Sequence, residues 1–140
     1  PTGVREISAT AFSHGQTISS IHIPDSVLCV ARYAFASCAS LKEMTIGFGV
    51  GIIPMGCFAE LHNLETVTLT DCIKSIDDYA FYGCSSLPTI TIPDSVTSIG
   101  DKAFYKCTSL KNIALPDSVI SIGTAAFASC DNLESVSFGI

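Results

Sequence analysis

The stretch Ile92–Ile113 reads IPDSVTSIGDKAFYKCTSLKNI, and the chain on either side of it repeats that pattern with variations. Its phenylalanine belongs to a series: Phe12, Phe35, Phe58, Phe81, Phe104 and Phe127 stand 23 residues apart without a slip. A strict period in this range is the signature of a solenoid, in which each repeat forms one coil. Other apolar columns keep the same phase. Ala11, Ala34, Cys57, Ala80, Ala103 and Ala126 precede the phenylalanines, and Ile7, Val30, Ile53, Ile76, Ile99 and Ile122 stand five residues before them. Further columns run through Val27, Val50, Ile73, Val96 and Val119 and through Leu41, Leu64, Leu87, Leu110 and Leu133. About seven inward positions per repeat are more than one coil can bury, whereas six stacked copies cover one another's apolar edges. At about 4.8 Å per stacked strand, six coils make a slab roughly 25–30 Å long.

Local structure follows from the spacing. In L-x-x-I-x-I the last apolar residues alternate at period two, the mark of a half-buried strand. Leu87–Ile92, Leu110–Leu115 and their equivalents are expected to form one parallel sheet, one strand per coil. Pro-Asp-Ser then turns the chain at Pro24, Pro93 and Pro116, because Pro fixes φ and Asp supports a turn with its side chain. V-x-x-I is too short for a helix and is read as a second, weaker strand. Gly100 and Gly123 begin a turn, and A-A-F-A-S-C fits a short 3₁₀ segment or one helical turn. No segment supports a helix of ten residues or more.

The pattern I-P-D-S-V-x-x-I-G-x-x-A-F-x-x-C-x-x-L-x-x-I resembles the leucine-rich repeats of the BspA-like family. The likeness covers essentially the whole chain and is closest at Ile92–Ile113 and Leu115–Val136. It implies a right-handed leucine-rich-repeat solenoid, with a parallel sheet on one face and short β or 3₁₀ segments and turns on the other. It further implies a protein-binding module at the cell surface or secreted, in adhesion or attachment, with a host extracellular protein or cell-surface receptor as partner. The alternative is a structural spacer or an intracellular protein-interaction scaffold.

Composition narrows the field. The chain has 140 residues, 48% apolar and 14% charged, with a net charge of −6. High apolar content suits a solenoid, whose inward columns are nearly continuous. The acidic balance gives no basic footprint for nucleic acid, and no apolar run has the length of a membrane span, so no direct membrane insertion is expected in this segment. Residues 1–140 are read as a single solenoid of about six 23-residue coils. They begin mid-repeat at Pro1 and stop on a strand at Phe138–Ile140, with no polar cap at either end. That reads as part of a longer array, so the missing signal peptide carries no information about localisation. Uncapped apolar edges also make end-to-end self-association an expectation.

The seven cysteines do not read as a disulfide framework. Cys38, Cys84, Cys107 and Cys130 each stand three residues after a Phe, in one column, and stacked equivalents point the same way, which is poor disulfide geometry. They are read as buried thiols that fill space and bond to loop backbone, with Cys57 also buried. Cys29 and Cys72 fall at variable positions and are expected to be more exposed. Their pairing is open. No Cys or His spacing suggests zinc, and no cofactor is expected.

The candidate binding face is the outward side of the sheet. One column holds Ser20, Glu43, Thr66, Thr89, Asn112 and Ser135, and the next holds His22, Thr45, Thr68, Thr91, Ala114 and Ser137. Of these, Glu43, Thr45, Thr66, Thr68, Thr89, Thr91 and Asn112 are the named site residues. Threonine also favours strands for its β-branch alone, so propensity and solubility account for the same columns. Phe48, in Gly47-Phe48-Gly49-Val50-Gly51, replaces the Asp of the turn and is either a local turn variant or a hydrophobic contact point. The glycines are no phosphate loop, since neither Lys-Ser/Thr nor a helix follows. Asp25, Asp71, Asp94 and Asp117 share a corner. They are read as turn caps rather than a calcium ladder, which would need six to eight oxygens. His14, His22 and His62 fall in three different phases of the repeat, and no nucleophile, base or paired carboxylates stand together. The chain is read as no enzyme.

Overall fold

The computed structural model describes residues 3–139. Each coil is numbered here by its phenylalanine, from the first at Phe12 to the sixth at Phe127. The chain forms a parallel β-solenoid of about six turns. Its strands are β1 (Glu6–Ile7), β2 (Ser20–Ile23), β3 (Cys29–Val30), β4 (Glu43–Ile46), β5 (Ile52–Ile53), β6 (Thr66–Thr68), β7 (Ser75–Ile76), β8 (Ser98–Ile99), β9 (Asn112–Leu115), β10 (Ser121–Ile122) and β11 (Ser135–Phe138). The longer strands come from L-x-x-I-x-I and the two-residue strands from V-x-x-I. The reading of V-x-x-I as a second, weaker strand therefore holds, and no helix occurs among the described residues.

The main sheet differs from expectation in one respect: it is in two pieces. Strands β2, β4 and β6 pair in one, β9 and β11 in the other, and Thr89–Ile92 of the fourth coil joins neither. Pro88 explains the seam with the third coil; toward the fifth coil the Lys111 amide still donates to the Pro88 carbonyl, at 3.2 Å. At the same column, the amides of Lys42, Glu65 and Glu134 each donate to the preceding coil's carbonyl at 2.8–2.9 Å, and proline has no N–H to give. The inward–outward alternation survives the break, because packing sets it. Ile90 and Ile92 stay buried and Thr89 and Thr91 stay exposed.

The back sheet has its own seam, again at a proline. Strands β5, β7, β8 and β10 form one ladder and β1–β3 another. Ala31, Asp77, Gly100 and Gly123 bridge to the preceding coil through their amides at 2.7–2.9 Å. The equivalent residue in the third coil is Pro54, which cannot, so β3 and β5 lie adjacent without pairing.

The Ala-Phe corner is not the 3₁₀ or helical segment expected. It is a run of tight turns with a left-handed residue on either side of each Phe. Thr10, Tyr33, Tyr79, Lys102 and Ala125 stand two before it, and His14, Ser37, Glu60, Lys106 and Ser129 two after, all with φ of 53–61°. Gly56 and Gly83 hold the remaining two positions. In the first five coils this alternation aims the amides of the Phe and of the residues two before and two after it toward the next coil. Phe12, Phe35, Phe58, Phe81 and Phe104 donate to the alanine or cysteine carbonyl 22 residues on, at 2.7–3.1 Å. A continuous helical turn would direct those amides back into its own coil.

Between the sheets lies the core. The phenylalanines stack in one column, with ring centroids 5.1–5.8 Å apart. Phe35, Phe58, Phe81 and Phe104 are fully buried, and no polar or charged residue is buried among the described residues.

Candidate functional site

The thiols illustrate how the scaffold satisfies itself. Cys38, Cys84, Cys107 and Cys130 each donate Sγ–H to the carbonyl of the preceding coil's Phe, at 3.0–3.2 Å. They are free thiols, as is buried Cys57. Burial pushes the Cys84 thiol from 9.0 up to about 12, and burial followed by the neighbouring Cys84 and Cys130 sulfurs raises Cys107 further. Such thiols are inert nucleophiles. Cys29 is exposed and Cys72 half-buried, and both are free.

A second internal ladder was missed in the sequence. Ser40, Asn63, Ser86, Ser109 and Asn132 stand five after each Phe and donate side-chain hydrogen bonds to a carbonyl of the preceding coil, at 2.5–2.6 Å. The signal was there, since every residue of that column is a short polar donor. Aspartates serve the opposite direction. Asp25 accepts from the Phe48 amide at 2.9 Å, and Asp78 and Asp101 accept from Asp101 and Thr124. The capping reading thus holds at Asp25. The second capping column, Asp78 and Asp101, lies outside the corner singled out from sequence. No group of three or more His, Cys, Asp or Glu able to hold a metal occurs among the described residues.

The outward face of the main sheet carries the seven residues named from the sequence. Register pairs Ser20 with Glu43 and Glu43 with Thr66 in one column, His22 with Thr45 and Thr45 with Thr68 in the next. Asn112 and Ser135 pair across the other piece, where the Ser135 hydroxyl donates to Asn112 Oδ1 at 2.5 Å. All seven named residues are exposed. Thr89 and Thr91 keep their outward direction but sit on the unpaired fourth strand. Around them lies a shallow hollow of about 440 Å³ that includes Asn112, Ala114 and Ser137. Lys42 and Glu65 approach to 4.0 Å at the rim, an exposed pair that contributes little. The face offers hydroxyls, the Asn112 amide, the Glu43 carboxylate and the His22 imidazole, but its outward columns carry no Phe, Tyr or Trp among the described residues. Phe48 is exposed at 61%, in the turn that follows β4, where its amide donates to Asp25 Oδ1.

Aromatic side chains gather on the turn edge instead. Tyr79, Tyr82 and Tyr105 lie together there with Lys102 and Lys106. Sequence reading passed over this cluster because its members fall in different columns of the repeat.

The chain matches the BspA type leucine-rich repeat region as six copies, over residues 1–85 and 51–139. It is similar to the crystal structure of the T. pallidum leucine-rich repeat protein: TM-score 0.82, 34% identity, 84% of this chain and 57% of that one. A leucine-rich repeat protein from Bacteroides ovatus matches with TM-score 0.84 and 28% identity, over 97% of this chain and 41% of that one. A leucine-rich cell surface protein from Faecalibacterium prausnitzii matches with TM-score 0.62 and 30% identity, over 99% of this chain and 30% of that one. The chain thus spans well under two thirds of these structures. No curated protein sequence matches it.

Proposed function

The chain belongs to the BspA type leucine-rich-repeat family, and from that premise we propose that it is a protein-binding module of a cell-surface or secreted protein, acting in attachment to a host protein or neighbouring cell through the outward face of its main sheet. Leucine-rich repeats generally mediate protein interactions. The observation that carries the choice of face is the register, which lines up Glu43, Thr45, Thr66 and Thr68 as exposed neighbours with no internal task. Thr89, Thr91 and Asn112 extend it along the array, and Phe48 is a separate apolar contact. Without aromatic anchors each coil contributes modestly, and a longer array supplies the rest through avidity.

Two measurements test this. Protease applied to intact source cells should remove the repeat region while a cytosolic control survives; protection until lysis would overturn the surface assignment. Replacing Thr45, Thr68 and Thr91 together with Lys should abolish attachment with an unchanged circular dichroism spectrum. Undiminished attachment would exclude the sheet face.

A second reading, a spacer or scaffold that associates end to end, draws on the apolar edges. The first coil opens a hollow of about 620 Å³ lined by Ile7, Phe12, Ile18 and Ile21, and Phe138 is 69% exposed at the other end. Further coils would cover the same edges. Sedimentation decides it: a strict monomer at high concentration would rule out self-association.

A further inference from the structure

We propose that the turn edge spanning the second to fifth coils is a second interaction surface, separate from the sheet face, whose partner is an acidic polypeptide segment. All four tyrosines of the chain, Tyr33, Tyr79, Tyr82 and Tyr105, line a single hollow of about 360 Å³ together with Lys102 and Lys106. No structural demand of the repeat places them there. The same columns hold Thr10, Gly56 and Ala125, or Ser13, Ala36 and Ala128, in the other coils. Tyrosine concentrated in one exposed hollow has the composition of an interface centre.

The geometry narrows the partner. Tyr82 and Tyr105 stack at 5.4 Å between centroids and 15° between planes, and Tyr79 tilts against Tyr82 at 5.7 Å. Lys102 Nζ lies 5.6 Å from the Tyr79 centroid and 5.8 Å from that of Tyr105, and Lys106 Nζ lies 5.6 Å from Tyr105. The ammonium groups are held on the rings by cation–π attraction. Neither lysine has a carboxylate within 4.0 Å among the described residues. Glu60, the carboxylate in the lining, is engaged by His62 Nε2 at 2.9 Å. Two positioned cations therefore await anions in a chain whose net charge is −6. The faces of Tyr79, Tyr82 and Tyr105 are engaged by one another and by the ammonium groups, so these three rings offer little platform for stacking a sugar ring or a base. What remains outward is ring edges, hydroxyls and positive charge. Carboxylate side chains alternating with apolar ones along an extended peptide meet all three.

Fluorescence anisotropy tests this with a fluorescein-labelled octapeptide alternating Glu and Phe, and with the same peptide carrying Lys for Glu. The Glu peptide should bind and the Lys peptide should not. Lys102→Glu with Lys106→Glu should weaken binding by about tenfold or more, whereas Thr68→Lys with Thr91→Lys should leave it unchanged. Should the double charge reversal fail to fold, Lys106→Glu alone, at an exposed side chain, should still weaken binding by about threefold. Equal affinity in the charge-reversed protein, equal binding of the Lys peptide, or displacement of the Glu peptide by a uronic-acid oligosaccharide of the same charge at lower concentration would each overturn the proposal.

Discussion

Removing one ring from the phenylalanine column tests whether the coils are coupled through it. Phe81 is fully buried, with Phe58 at 5.4 Å on one side and Phe104 at 5.2 Å on the other. Phe12 is 45% exposed and stacks only on Phe35, at 5.3 Å. A buried Phe→Ala change costs about 3–5 kcal/mol, cavity included, and an aromatic pair contributes about 0.5–1.5 kcal/mol beyond area. Phe81→Ala loses two pairs and leaves a cavity that neighbouring coils cannot close, since each is held by backbone bonds to the next. Its cost should reach the top of that range, about 4–5 kcal/mol. Phe12→Ala, half-solvated with one pair, should cost about 1–2 kcal/mol. Phe81→Leu, which keeps most of the volume but neither stack, should fall between them. Urea unfolding followed by circular dichroism measures all three, and the m-value shows whether the two halves still unfold together. A Phe81→Ala protein no less stable than Phe12→Ala would refute the idea that the stack joins the coils.

Pro88→Lys restores the amide that the other coils use, and the fourth strand should then join the main sheet. The net gain should be small, at most about 0.5 kcal/mol, a hydrogen bond less the proline's rigidity in the unfolded chain, and hydrogen exchange at residues 89–92 should slow; unchanged exchange would remove Pro88 as the cause of the seam. A thiol reagent on the native protein should label Cys29 at once and Cys72 more slowly, with Cys38, Cys57, Cys84, Cys107 and Cys130 reacting only on unfolding. The raised Cys84 pKa sets a pH window. The unfolded chain releases that proton near 9.0 and the folded one near 12, so stability is intact below pH 9 and falls as pH rises toward 12, by up to about 1.4 kcal/mol per unit for this thiol. Cys84→Ala should flatten the alkaline limb of the stability curve, and an unaltered slope would argue against it.

Much of this protein was legible in its sequence because a solenoid is built from local rules repeated in phase. The 23-residue period of Phe, Ala, Leu and Ile determined the coil, its inward columns, the outward Thr columns and the stacked thiols. Alternation at period two can be satisfied by one sheet register alone, so Glu43, Thr45, Thr66 and Thr68 had to meet where they do. The period was silent wherever a residue acts on the neighbouring coil. Pro54 and Pro88 look like ordinary surface substitutions until their missing amides fall opposite waiting carbonyls one coil away. The left-handed backbone at Tyr33, Tyr79 and Lys102 is fixed by amides that reach forward to the next coil and not by side-chain preference. The tyrosine–lysine edge exists only because stacking brings positions from three coils onto one surface. Sequence determined what each coil is; the contacts between coils, which no single repeat encodes, decided where the sheets break and which side chains gather.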